Sequence, residues 1–126
     1  MYKQEIKVMD CTVRDGGLMN KWQFSDDFVR GVYNACVEAG VDYMEIGYLS
    51  SEKAFDRSVY GPWKFCSQAD LERIVGKNET NLKLSAMADI GRIELDDIPM
   101  ASDSLLDMIR VACYVHQVDK AVALAH

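Results

Sequence analysis

The sequence predicts an α/β protein built on a parallel sheet. Strand-like and helix-like segments alternate four times along the 126 residues, which is typical of repeated βα units. The second strand-like segment is almost continuously apolar, as expected for a strand covered on both faces. Hydrophobic residues make up 49% and charged residues 27% of the chain, an ordinary globular composition. We therefore expect one domain, residues 1–126, of about four βα units.

The first predicted unit is a strand over residues 6–13 followed by a helix over residues 24–40. Ser25 is a suitable N-cap, because its hydroxyl can accept a hydrogen bond from a free amide of the first turn. Gly40 can adopt the left-handed conformation that ends a helix. Helical spacing predicts an inward face made of Phe28, Val32, Ala35, Cys36 and Ala39.

The second predicted unit is a strand over residues 41–49, a polar and aromatic loop over 50–66, and a helix over 67–76. Ser67 is its expected N-cap and Gly76 its expected stop.

The last two units follow the same pattern. The third strand is predicted over residues 81–89, and residues 90–103 are predicted as a loop with a short helix near Ser102. The fourth strand is predicted over residues 108–114, and a helix starts near residue 117. Its predicted inward residues are Val118, Val122 and Ala125.

Composition disfavours several classes of partner. The chain has 14 basic against 20 acidic residues and a net charge of −6, so neither nucleic acid nor an anionic membrane surface is an expected partner. No apolar run approaches the 18 or so residues of a membrane span. The four cysteines are scattered without C-x-x-C spacing, which is typical of reduced thiols and predicts a cytoplasmic protein.

The candidate site begins in the stretch VMDCTVRDGGLMNKW, residues 8–22. Asp15 at the end of a strand is a hard oxygen ligand for Mg²⁺ or Mn²⁺. Arg14 can neutralise a carboxylate or a developing enolate oxygen, and Gly16 and Gly17 would let the chain turn sharply. A surface ion pair beside a glycine turn is the alternative that these residues leave open.

Two motifs carry a family resemblance. DCTVRDGG, residues 10–17, followed by MEIGYLS, residues 44–50, resembles the DRE-TIM metallolyase family, which includes HMG-CoA lyase and 4-hydroxy-2-oxovalerate aldolase. The best match is its aldolase or pyruvate carboxyltransferase-like branch. The resemblance implies the N-terminal half of a TIM (β/α)₈ barrel. It also implies Asp15 as metal ligand, Arg14 as enolate stabiliser, and Glu45 as the residue that holds Arg14.

The resemblance implies cleavage or formation of a carbon–carbon bond in a pyruvate-like 2-oxo acid, with Mn²⁺ or Mg²⁺. The family completes its metal site with an H-x-H pair, whereas this chain has only His116 and His126. The position of the family's base histidine, near Leu18 and Met19, holds none. We therefore expect an incomplete metal site and an inactive fragment. We also expect self-association into a homo-oligomer or pairing with a missing C-terminal half, since a whole barrel needs about 250 residues.

Two further residues are candidate substrate contacts. Asp89 ends the third predicted strand, and His116 follows the fourth. In parallel sheets ligands collect at these ends, but a turn-capping aspartate and a solvated histidine are the alternatives. Two other functions also stay open, namely a non-catalytic half-barrel that binds or assembles, and a flavodoxin-like or receiver-like domain.

Overall fold

The sheet of the structure, a computed structural model that describes residues 5–125, has four parallel strands in chain order. The strands are β1 (Met9–Asp10), β2 (Tyr43–Tyr48), β3 (Lys83–Asp89) and β4 (Met108–Ala112). The helices are α1 (Thr12–Asn20), α2 (Asp26–Ala39), α3 (Gln68–Val75) and α4 (Val118–Ala125). The predicted α/β class and parallel sheet are confirmed. His126 lies outside the described residues.

The two central strands form the core of the sheet. All but the first residue of β2 are buried, and in β3 the five residues 84–88 are buried. The pairing of β2 with β3 shifts register between Glu45 and Gly47. Strand β3 matches the predicted strand over residues 81–89 closely, because its apolar run is covered on both faces.

The start of the chain differs from the prediction. Of the predicted strand over residues 6–13 only Met9–Asp10 is observed, because residues 6–8 are not paired as strand and α1 begins at Thr12. The Asp10 carboxylate accepts hydrogen bonds from the amide nitrogen of Thr12 at 3.1 Å and from its hydroxyl at 2.7 Å. These bonds offer the backbone a helical start in place of a strand ladder. Arg14 and Asp15 consequently lie in α1 rather than at a strand tip.

The Gly16–Gly17 pair is also part of α1, so the predicted sharp turn is wrong. Gly17 packs directly against the indole of Trp22, and a Cβ at Gly17 would overlap the Cδ1 and Nε1 atoms of that ring. Lys21 and Trp22 both have left-handed backbone, with φ of 57° and 59°. These conformations end α1 and return the Trp22 ring beneath it.

The ends of α2 are as predicted. The Ser25 hydroxyl accepts a hydrogen bond from the Phe28 amide at 3.2 Å, and Gly40 has a φ of 68°. Phe24 stacks on Phe28, with ring centroids 5.0 Å apart.

The buried face of α2 is offset by about one residue from the predicted one. Phe28 is 44% exposed, and Ala35 and Ala39 are exposed, so these three inward assignments are wrong. The stack with Phe24 holds Phe28 outside the core, where a neighbouring set of apolar residues takes its place. The buried residues of α2 are Val29, Tyr33 and Cys36.

The later helices follow the predicted order. Ser67 accepts a hydrogen bond from the Asp70 amide at the start of α3, and Gly76 ends it. In α4, Val118 and Val122 are 47% and 51% exposed, so the predicted inward face is wrong. That helix is apolar nearly all round, and spacing alone therefore cannot select one face. Its partly buried residues are Ala121 and Leu124.

Within residues 5–125, no helix combines the length and the apolar character that crossing a bilayer requires.

The contact of Gly17 with Trp22 gives a first prediction. Replacement Gly17→Ala should lower the free energy of unfolding by about 2 kcal/mol, because the methyl group must displace a buried ring. Gly31→Ala in α2 is the matched control, since nothing lies within 4 Å of its Cβ position. That change should raise stability by about 0.5 kcal/mol. Urea denaturation measures both, and equal effects of the two substitutions would contradict the packing role.

Candidate active site

A buried carboxylate lies at the centre of the site. Glu45 is in β2 and its side chain is fully buried. Arg14 donates from Nε to Glu45 Oε2 at 2.7 Å. Arg110, from β4, donates from Nε to Oε1 at 2.8 Å and from Nη2 to Oε2 at 2.7 Å. Both carboxylate oxygens are thus held by guanidinium groups, one of them in the bidentate geometry that gives strong ion pairs.

The electrostatics of this centre favour an ionised Glu45. Burial raises the pKa of the Glu45 carboxyl, but hydrogen bonds from Arg110 and Arg14 lower it by more, so the pKa lies below its ordinary value. Cys11 donates from Sγ to Glu45 Oε2 at 3.5 Å, and burial raises the pKa of that thiol. Two guanidinium groups around the Glu45 carboxylate give these three groups a positive charge, which the Asp15 carboxylate offsets on the solvent side.

Asp15 extends this centre towards solvent. Its side chain is 66% exposed, and its Oδ1 accepts from Arg14 Nη1 at 2.8 Å. Arg14 is therefore held on two edges, by Glu45 inside and Asp15 outside. The structure brings together Arg14, Asp15 and Glu45, the three residues that the motifs singled out.

The donor set for a metal ion is not complete in this part of the chain. Across residues 5–125, no group of three or more His, Cys, Asp or Glu side chains is arranged to hold a metal. Asp15 offers exposed carboxylate oxygens, while the oxygens of Glu45 are engaged by arginines. The described residues thus fit a single ligand and not a whole site.

The other two candidates lie apart from this centre. Asp89 lies at the end of β3 and pairs with Arg92 at 3.4 Å. It lines a cavity of about 260 Å³ together with Arg92 and Tyr114. His116 is exposed and stacks on Tyr114, with ring centroids 5.7 Å apart. No hydrogen bond or ion pair within the described ranges joins Asp89 or His116 to Arg14.

Tyr48 lies between these two regions. Burial raises the pKa of its phenol, and the negative charge of Asp89 raises it further, whereas Arg14 acts in the opposite direction. The phenol therefore keeps its proton at neutral pH and can donate a hydrogen bond.

Sequence reasoning missed two residues of the centre. Arg110 is the one charge in the apolar run over residues 108–114, and a charge in such a strand needs a partner to offset its desolvation. That signal could have linked it to Glu45. Ser85 on β3 is in register with Glu45, and its buried hydroxyl has no hydrogen-bond partner in the part of the chain that the structure describes. One serine in a buried strand carries no comparable signal.

The fold and this charged centre define an α/β domain of the barrel type. Strands that follow one another in chain order, each joined by a crossover, agree with half of a (β/α)₈ barrel. The predicted fold class is therefore confirmed, and comparison with known proteins specifies the class further.

No family model matches the chain. Three curated relatives are 4-hydroxy-2-oxovalerate aldolases. The one from Geobacillus genomosp. 3 is 26% identical over 119 residues, covering 94% of this chain and 35% of the relative. Those from Rhodococcus jostii and Moorella thermoacetica are 25% and 27% identical, covering 98% and 94% of this chain and 34% and 35% of the relatives. The chain thus spans about a third of the length of the curated relatives it matches.

A crystal structure gives the same result. The N-terminal domain of a candidate aldolase from Bacteroides vulgatus superposes with a TM-score of 0.80 at 28% identity, covering 95% of this chain and 40% of that one. The resemblance seen in the two motifs is confirmed, since nearly the whole chain is similar to part of the 4-hydroxy-2-oxovalerate aldolases and to the N-terminal domain of that candidate aldolase.

The Glu45 centre predicts a large effect of a small change. Glu45→Gln should lower the free energy of unfolding by about 3 kcal/mol near neutral pH, because two arginines lose their buried counter-charge. Glu52→Gln is the matched control, since Glu52 pairs with Arg57 on the surface and should cost no more than about 1 kcal/mol. Chemical denaturation compares the variants.

The stability difference between the parent protein and Glu45→Gln should depend on pH. The pKa of Glu45 is lower in the folded than in the unfolded protein, so its contribution is complete above the unfolded value near 4.5 and is lost as pH falls through the folded value. The stability difference between the parent protein and Glu45→Gln should therefore shrink below about pH 4.5. A difference that is constant or grows on acidification would contradict an ionised, arginine-bound Glu45.

Proposed function

We propose that the protein takes part in making or breaking a carbon–carbon bond next to the carbonyl of a pyruvate-like 2-oxo acid. The observation that carries the proposal is the placement of Arg14, which is held on two edges by carboxylates and yet keeps 15% of its side chain exposed. The similarity to 4-hydroxy-2-oxovalerate aldolases supports this class of reaction.

In this reaction the residues of the chain stabilise negative charge. When the bond next to the carbonyl breaks, charge develops on the carbonyl oxygen as an enolate. Arg14 would hold that oxygen, and Glu45 keeps its guanidinium plane fixed beforehand, so no reorganisation is needed as charge appears. Arg110 supplies the second positive charge beside Glu45, and the protonated Tyr48 phenol is a further donor.

A divalent metal ion, Mn²⁺ or Mg²⁺, is part of the proposal. Asp15 would supply one carboxylate ligand, and a bound ion would polarise the carbonyl of the 2-oxo acid. The other ligands would come from outside the described residues.

The proposal also concerns the remainder of the site and the location of the protein. Two thirds of each curated relative lie outside the match, and we assign the missing ligands and base to a C-terminal half of that kind. Activity of the 126-residue chain alone is not expected. A cytoplasmic location agrees with four cysteines that are all unpaired thiols.

Oxalate, which mimics the enolate of pyruvate, tests the role of Arg14 without a metal. Addition of oxalate should shift the NMR signals of the backbone amides around Arg14, Glu45 and Arg110. Arg14→Lys should weaken binding about tenfold, since lysine cannot reproduce the planar donor fork. Arg57→Lys, in an exposed pair, is the control and should bind as the parent does. Equal weakening in both variants would sink the proposal.

Titration with Mn²⁺ by calorimetry tests the metal ligand. The 126-residue chain should bind Mn²⁺ weakly, and Asp15→Asn should abolish that binding while Glu52→Gln, at a similarly exposed carboxylate, leaves it intact. Tight binding that survives Asp15→Asn would show that the ion is held elsewhere.

A further inference from the structure

A buried lysine inside an aromatic cage lies next to the candidate active site. Lys64 ends a 3₁₀ turn, Pro62–Lys64, and is only 2% exposed. Its Nζ lies 4.3 Å from the ring centroid of Trp22, 4.3 Å from that of Tyr48, and 4.1 Å from that of Phe55. Rings at these distances attract a cation through their negative faces.

The cage lacks the partner that a buried lysine normally has. Within residues 5–125, no carboxylate forms an ion pair with Lys64 and no hydrogen bond to its Nζ is found. The three rings offset part of the cost of burying a cation, but they offer the amine no oxygen or nitrogen acceptor, and a methionine would fill the same space with no charge to bury. The amine also borders a cavity, which makes it available for a chemical role.

Burial and the surrounding charges set the pKa of the Lys64 amine. Burial lowers the pKa of Lys64 to about 8, while the negative charge of Asp89 raises it and the positive charge of Arg92 lowers it. Lys21, at the end of α1, is the other charged group that lines the same cavity. Near pH 8 roughly half of the amine is neutral, against less than about 1% of an exposed lysine.

The amine borders a cavity of about 640 Å³. Lys21 and Arg92 lie in its wall with Leu18 and Tyr60. Two cationic side chains in the wall favour a ligand that carries a carboxylate or phosphate. The cavity therefore combines a nucleophile with groups that hold an anion.

We propose that Lys64 is a nucleophilic amine that forms an imine with a small anionic carbonyl compound, an oxo acid, bound in this cavity. The neutral Nζ attacks the carbonyl carbon and forms a carbinolamine. The carbon–oxygen bond then breaks, a proton from nitrogen goes to the departing hydroxide, and water leaves. One C=N bond and one water replace one C=O bond and two N–H bonds, so no oxidant or reductant takes part.

This site goes beyond the proposed function. The enolate role rests on Arg14 and a charge interaction, whereas the imine rests on Lys64 and a covalent bond. Trp22 contacts both Lys64 and Arg14. Its indole forms one wall of the cage, and its Nε1 donates to the Arg14 carbonyl at 2.9 Å.

The experiment uses glyoxylate as the anionic aldehyde and cyanoborohydride to trap the imine on the 126-residue chain. Peptide mapping by mass spectrometry then compares Lys64 with Lys53, an exposed lysine in the preceding loop. Lys64 should be labelled at least about tenfold faster than Lys53 at pH 8, because about half of the Lys64 amine is neutral there and the cavity binds the anionic aldehyde next to it. Labelling of Lys64 no faster than that of Lys53 would overturn the proposal. This comparison within the parent chain needs no variant to fold.

Two further arms sharpen the result. Acetaldehyde, which has no charge, should label Lys64 with less preference, and Lys21→Met should reduce labelling by glyoxylate but not by acetaldehyde. Lys64→Met should remove the labelled peptide and keep a cooperative thermal transition, since methionine fills the cage. If Lys21→Met slowed both aldehydes equally, the anion-binding part of the proposal would be wrong. Failure of labelling is distinguishable from failure of the enolate role, because oxalate has no carbonyl that forms an imine under these conditions.

Discussion

Burial of the Glu45 carboxylate is the constraint on which the rest of the site depends. A charge that is fully removed from water in the middle of β2 destabilises the fold unless donors surround it. The donors come from both sides, Arg14 from α1 and Arg110 from β4. Between β2 and β4 lies β3, on which Ser85 is in register with Glu45 and Met87 with Arg110. One ionised group thereby determines how a helix and three strands are placed.

Sequence patterns predicted the elements of this protein better than their faces. The predicted helices and strands occur in the predicted sequence and the caps at Ser25 and Ser67 are observed, because a strand's apolar run and a capping hydroxyl are local properties. Helix α1, between β1 and α2, was not predicted. The first strand was predicted too long, since the hydrogen bonds of Asp10 to Thr12 convert an apolar run into a helix. Such competition between side chain and backbone is not visible in hydrophobic spacing.

The candidate site, too, was predicted better in its local motifs than in its long-range contacts. The motifs identified Arg14, Asp15 and Glu45, and the structure brings them together. Arg110 is 65 residues from Glu45 in sequence, and Lys64 is caged by rings from three separate segments, so neither arrangement follows from local pattern. The glycine pair was assigned to a turn because of its composition, whereas its second member is needed for the packing of Trp22. Tertiary contact, rather than conformational freedom, explains that residue.

The long separation between the partners of Glu45 has a consequence for how the chain matures. During synthesis Arg14 is available as soon as β2 emerges from the ribosome, because it precedes Glu45 by 31 residues. Arg110 follows 65 residues after Glu45, and its arrival requires closure of a much longer loop. Until then Arg14 binds only the Oε2 oxygen of the carboxylate, and the Oε1 oxygen depends on water for a donor. Dehydration of Glu45 is thereby deferred until β4 has joined the sheet, so a nascent chain that stops before β4 keeps this carboxylate in contact with water.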